Sequence, residues 1–240
     1  MRILWAIESG SRAWGFASPD SDYDVRFIYA HRPDWYLSIH EGRDVIELPL
    51  LDTLDISGWD LRKALRLFHR ANPVLMEWIV SPLVYRRRGS FATKLRAMAR
   101  QHHSRRAAAY HYLHMAEGNL RAYLSGKEEV NLKKYLYVLR PLVAILWLIE
   151  RDGLPPMSFV ATLDGVAVPP RTRRAIDQLL KIKAASSELG TGRPIHEIDA
   201  FIEDLLERAQ RFAESAPVGK PPSEAVDALF RAVLRETWRP

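Results

Sequence analysis

Asp22 and Asp24 stand one residue apart, and Asp22 lies eleven residues beyond the Gly10-Ser11 pair. An apolar run, Ile3 to Ile7, leads into the pair, and a second, Val25 to Tyr29, follows the aspartates. Carboxylates at i and i+2 on an extended strand share a face, because strand side chains alternate with period two. Same-face carboxylates repel, so the arrangement makes chemical sense when a cation sits between them. Hard oxygen donors of this kind suit Mg²⁺, which takes one or two carboxylates together with substrate phosphates. A Gly-Ser turn offers backbone N–H groups and the Ser11 hydroxyl to phosphate oxygens, with the Arg12 guanidinium close by. Metal ligands beside a phosphate cradle are the parts of a phosphoryl or nucleotidyl transferase. Asp-X-Asp alone is common, and Ser-Pro-Asp-Ser-Asp also reads as a solvated turn. The combination of strand, Gly-Ser turn, fixed gap and second strand is what separates the two readings.

The elements that must position these residues change character near residue 90. Before it, short runs rich in β-branched and aromatic residues alternate with turns: Arg2–Ile7, Val25–Ala30, Val45–Leu48 and Leu51–Ile56. A short helix after Gly10 and helices at about Gly58–Arg70 and Pro73–Val80 lie among them. Beyond residue 90 the period is helical throughout, with helices over Phe91–Gln101, Arg105–Leu124, Asn131–Arg151, Pro170–Leu189, Pro194–Ser215 and Ser223–Thr237. The expected fold class is α+β: a small mixed-sheet catalytic domain over residues 1–90, followed by an all-helical nucleotide- or substrate-binding domain over residues 91–240.

Gly10-Ser11-Arg12-Ala13-Trp14-Gly15 followed by Ser21-Asp22-Tyr23-Asp24-Val25-Arg26 resembles the signature of the DNA polymerase β superfamily of nucleotidyltransferases. Ser57-Gly58-Trp59-Asp60-Leu61-Arg62-Lys63, Asn72-Pro73, Ser81-Pro82-Leu83-Val84-Tyr85 and Tyr135-Leu136-Tyr137-Val138-Leu139-Arg140-Pro141 are similar to its RNA-repair-associated, RlaP-type branch. The resemblance covers most of the chain and is most specific in the N-terminal third. It implies a polymerase β-like palm domain, Mg²⁺ (two ions, with Mn²⁺ able to substitute) and a nucleoside triphosphate as substrate. Ser11 and the backbone of the turn would hold the phosphates, and Asp22 and Asp24 the metal. A third carboxylate is expected from a neighbouring strand, and Glu47, Asp52 and Asp55 are the candidates. Asp55 is preferred: Leu54 and Ile56 point one way and Asp55 the other, whereas Asp52 has the opposite parity and suits the strand entry. An N-cap role is the plain alternative for an acid here, one that Ser57 or Asp60 would fill as well.

In the helical half, Lys133, Tyr137 and Arg140 recur at i, i+4 and i+7 beside the apolar stripe Leu132, Leu136, Leu139 and Val143. Pro141 removes a backbone N–H inside that helix and is expected to kink it. Such a helix would close over the nucleotide, cations on the triphosphate and Tyr137 on the base, or it is an amphipathic helix with an ordinary solvated edge. His102, His103, His111 and His114 lack the His-Glu-X-X-His spacing of a zinc site and have no cysteine to join them. Trp14 and Trp59 each adjoin a motif element and are expected to wedge the phosphate turn and the post-strand helix in place.

The formal charge of +6 favours an anionic partner, and the cations cluster as Arg86-Arg87-Arg88, Arg105-Arg106, Arg171 with Arg173-Arg174, and Lys181 with Lys183. Each cluster alone reads as a solvated helix face, while their sum suits RNA, either a tRNA-like molecule or a broken 3′-end. Transfer to a protein side chain or small molecule is the alternative, and a non-catalytic nucleotide- or RNA-binding module is a third reading, disfavoured because a dead site has no need of mutually repelling acids. Without cysteine, disulfides and thiolate sites are excluded, and the longest apolar run, Leu142 to Ile149, is far short of the ~20 residues of a membrane span. The expectation is a soluble cytoplasmic protein with no membrane partner.

Overall fold

The computed structural model describes residues 1–185 and 190–239. Its contacts divide the chain into two compact units: residues 1–13, 22–104 and 219–240 form the first, and residues 14–21 and 105–218 the second. The division follows a different line from a single cut near residue 90. The helix over Phe91–His102 belongs to the first unit, and so does the last helix, Ser223–Thr237.

In the first unit the order is β1 (Arg2–Glu8), α1 (Gly10–Trp14, its last residue passing to the second unit), β2 (Tyr23–Ala30), α2 (Pro33–Tyr36), β3 (Val45–Glu47), β4 (Leu54–Asp60), α3 (Leu61–His69), α4 (Pro73–Ile79), β5 (Val84–Arg87) and α5 (Phe91–His102). The sheet runs β3-β4-β2-β1-β5 and is mixed. β2 pairs with β4 in parallel, and the other neighbours are antiparallel. β5 was not expected from the sequence: its four residues are all exposed and it forms the sheet edge beside β1.

Local chemistry explains the transitions. Asp60 ends β4 and caps α3, its carboxylate accepting the Arg62 N–H at 2.8 Å, so the strand turns directly into the helix. Asn72 caps α4 in the same way through the Leu75 N–H, with Pro73 supplying the fixed φ of a first helical residue. Trp59 stacks on Trp78 with centroids 4.0 Å apart, which ties the end of β4 to α4.

The second unit holds α6 (Arg105–Tyr123), β6 (Val130–Asn131), α7 (Lys133–Glu150), α8 (Phe159–Asp164), α9 (Pro170–Ala185), β7 (Thr191–Gly192) and α10 (His196–Ser215). The last helix of the chain, α11 (Ser223–Thr237), follows. The unit is helical as expected, apart from the two-residue pairing of β6 with β7. Residues 186–189, the expected end of the helix that became α9, lie outside the described residues. α7 is the centre of the core: Leu136, Leu139, Leu142, Val143 and Leu146 are all fully buried. No helix among the described residues is long and apolar enough to cross a membrane.

Candidate active site

β1 runs out at Glu8 and the chain turns at once. Ser9 N–H donates to the Asp24 carbonyl at 2.8 Å, which fixes the turn against β2. Gly10 then takes φ +56°, the left-handed region that favours glycine. A Cβ at this position would stand 1.8 Å from Asp24 Oδ2, so the turn and the aspartate are packed backbone against carboxylate. The amides of Gly10, Ser11 and Arg12 open α1, where first-turn N–H groups have no intrahelical acceptor. Arg12 reaches across to the aspartate segment: its Nε donates to the Asp22 carbonyl at 3.1 Å, and its guanidinium lies 3.7 Å from the centre of the Tyr23 ring.

Asp24 sits on β2 directly opposite Asp55 on β4 in the parallel register. Arg26 binds both, at 3.1 Å to Asp24 Oδ1 and 2.7 Å to Asp55 Oδ2, and also donates to the Asp55 carbonyl. Asp22 immediately precedes β2 and is exposed. Of the other two candidate acids, Asp52 lies in the turn before β4 with φ 51°, and Glu47 at the end of β3 pairs with Arg43. Burial pushes the Asp24 carboxyl up; Arg26 opposes this, while Asp55, Glu8 and Asp22 add their repulsion. Among the described residues no three His, Asp or Glu side chains are gathered closely enough to cage a metal. Of the three acids expected from the sequence, Asp24 and Asp55 are brought together on Arg26, and Asp22 stands just before β2.

Glu8 is the residue that sequence reasoning missed. It is fully buried, and its carboxylate accepts the Asp24 N–H at 2.8 Å and the Tyr85 hydroxyl at 2.6 Å. Tyr85 is pushed up to about 12, by burial first and by that hydrogen bond second. Glu8 thus holds the backbone that carries Asp24. The only signal for it was a carboxylate closing an apolar run just before the Gly-Ser turn.

Lys133, Tyr137 and Arg140 belong to the second unit. Lys133 N–H is capped by Asn131 Oδ1 at 3.0 Å. Arg140 is only 7% exposed, stacks 4.1 Å over the Trp14 ring and points an amine at Met115 Sδ. Tyr137 meets Trp14 and Phe16 edge-on, and all of these lie within the second unit. Pro141 leaves the Tyr137 carbonyl without its helical donor, and Asn119 Nδ2 supplies one at 3.3 Å, so α7 continues through the proline. Trp14 therefore packs into an aromatic cluster with Phe16, Tyr137 and Arg140.

Several of the basic clusters are occupied structurally. Arg105 donates to the Leu148 carbonyl and lies over Phe212. Arg173 binds Asp164 and Asp177. Lys183 is buried, 1% exposed, with its Nζ 5.8 Å from the centre of the Phe16 ring, which removes it from any polynucleotide surface.

With this geometry in hand, three comparisons bear on the chain. A family model described as RlaP, RNA repair pathway DNA polymerase beta family, matches residues 1–232. The chain is 42% identical over 240 residues to the uncharacterized protein YcgL of Bacillus subtilis (strain 168), covering 100% of this chain and 92% of that protein. Among solved structures, a nucleotidyltransferase-like protein from Exiguobacterium sibiricum 255-15 matches at 13% identity and TM-score 0.25, over 100% of this chain and 75% of that one.

Proposed function

The chain belongs to the RNA repair pathway DNA polymerase beta family, and from that premise we propose that it moves a nucleoside monophosphate from a nucleoside triphosphate to the 3′-hydroxyl of an RNA, releasing pyrophosphate. The observation that carries the reading is the register of Asp24 opposite Asp55, beside a Gly10 turn that Asp24 itself keeps free of a side chain.

The donor set fits a hard divalent cation. Two aspartates face one position, a single guanidinium is the cation they hold, and Mg²⁺ characteristically takes one or two carboxylates with phosphates completing its shell. Asp24 and Asp55, with Asp22 beside them, are the residues that would hold it. When bound, such an ion neutralises phosphate charge and acidifies the attacking hydroxyl.

The chain's own residues do the rest. The amides of Gly10 and Ser11 and the Ser11 hydroxyl bind the phosphates beyond the reacting phosphorus. The acceptor oxygen bonds to the α-phosphorus as the bond to pyrophosphate breaks, and Asp55, the more exposed of the facing acids, takes the hydroxyl proton. Glu8 keeps Asp24 in register from behind. Within the second unit Arg140, stacked on Trp14, holds the Tyr137 cluster together. A chain with no cysteine suits a reducing cytoplasm, where we place it.

Incubation with α-labelled triphosphates, total cellular RNA and cell lysate tests the reading. Label should enter RNA, and Asp24→Asn should abolish it with the fold retained. Label in protein or in a small molecule would reassign the acceptor, and undiminished transfer by Asp24→Asn would remove this site from the chemistry.

A further inference from the structure

The first unit carries a concave basic surface remote in sequence from the Gly-Ser turn. A cavity of about 1050 Å³ lies along α11 and α5, walled by Lys94, Arg231, Arg235 and Arg239. A smaller one of about 240 Å³ shares Ser90, Glu236 and Arg239 with it and adds Arg2 and Arg88. Six cations thus line two adjoining cavities, together the α5–α11 groove, all on exposed residues. Among the described residues its one carboxylate is that of Glu236, which is held by the Ser90 N–H at 2.9 Å and by the Ser90 hydroxyl.

Some surface arginines elsewhere are ion-paired: Arg43 with Glu47, Arg66 with Glu41, Arg208 with Asp204, Arg211 with Glu207. Among the described residues, Lys94, Arg231, Arg235 and Arg239 have no such ion pair. Arg231 and Arg235 stand at i and i+4 on α11, where like charges destabilise a helix. They stand about 6 Å apart along the helix, and Arg239 follows just beyond its C-cap. Trp238 anchors the groove's edge, with Arg2 at 4.5 Å and Arg32 at 5.3 Å from its ring, and Arg2 also donates to the Thr237 carbonyl, which fixes its guanidinium against α11.

From this arrangement we propose that the α5–α11 groove binds the phosphodiester backbone of single-stranded RNA. The groove is at or beyond the size of a small-molecule pocket, and its cations stand over a largely apolar wall. Five of the six cations are arginines, whose fork matches phosphate oxygens in pairs. The choice of RNA over another polyanion rests on the RNA acceptor proposed above; the existence of an anion groove does not.

Anisotropy of a fluorescein-labelled oligouridylate, titrated with the full chain across a salt series without triphosphate or divalent ion, reads the groove directly. Four phosphate contacts predict a log–log slope of about −2.8, and Arg231→Ala with Arg235→Ala should shrink it by about 1.4. The double lysine variant should retain the slope, and neither variant should melt lower than wild type. An unchanged slope in the alanine double variant overturns the proposal. So does more effective displacement of the label by phosphatidylserine vesicles or polyglutamate than by unlabelled RNA, which would point to a membrane or an acidic protein. RNA held through the groove but never labelled in the transfer assay would sink the proposed acceptor and leave the groove standing. RNA labelled equally well by wild type and by the alanine variant, with equal binding slopes, would do the reverse.

Discussion

Replacing Gly10 by alanine probes the packing on which the site depends. At φ +56° a side chain is disfavoured whatever surrounds it, by about 1–2 kcal/mol. The new Cβ would also fall 1.8 Å from Asp24 Oδ2 and 2.6 Å from Asp24 Cγ, so the carboxylate must leave its place and its bond to Arg26. Forced repacking of that kind adds about 1–3 kcal/mol. In an Asp24→Ala background the overlapping atoms are gone, and what remains is the Asp24 Cβ at 3.1 Å. Gly10→Ala should there cost only the backbone part. Urea unfolding of wild type, both single variants and the double variant should therefore give a coupling of about 1–3 kcal/mol. Additivity to within about 0.5 kcal/mol would mean that the turn and the aspartate are independent, and the argument from Gly10 to the site would fail.

Arg26→Met, in metal-free buffer, leaves Asp24 and Asp55 facing each other without a cation. Their partial exposure puts the expected loss between surface and buried pairs, about 1–2 kcal/mol, or a melting temperature lower by about 2–8 °C. Adding Mg²⁺ should restore more stability to this variant than to wild type, and equal or absent effects would deny the pair a divalent ion. Lys183 gives a test by pH. Burial, then Lys133, hold its ammonium below the usual 10.5. The unfolded chain therefore binds the extra proton between the lowered folded value and 10.5, and stability on this account rises with pH across that window. Lys183→Met should melt higher than wild type at neutral pH, with the gain shrinking towards pH 10.5; parallel pH curves would show that the lysine is not charged at a cost in the fold.

What the sequence could disclose of the site depended on how local each signal was. Strand parity is local, so Asp24 and Asp55 could be read from their own neighbours. Their pairing comes from the parallel register of β2 and β4, with α2 and β3 between them in the chain, which no local pattern encodes. Glu8 was hidden because its hydroxyl partner, Tyr85, comes from β5, 77 residues away. β5 itself reads as a loop: four residues, two of them arginine, at a sheet edge behind Pro82. Pro141 announced a disturbed helix, yet its remedy is an asparagine on α6 that carries no motif.

Charge was the most deceptive signal, for a physical reason. A run of arginines draws attention as a run, but neighbours in a helix point in different directions and find different partners. Arg105 turns to a carbonyl and an aromatic ring, Arg173 to two aspartates, and Lys183 inward. The groove draws instead on positions 2, 88, 94, 231, 235 and 239, of which only Arg88 falls in a basic run. They meet because α11 returns to the first unit and packs against α3 and α5. A field that attracts a polyanion needs cations converging from several elements onto one concavity, and convergence is a property of the fold.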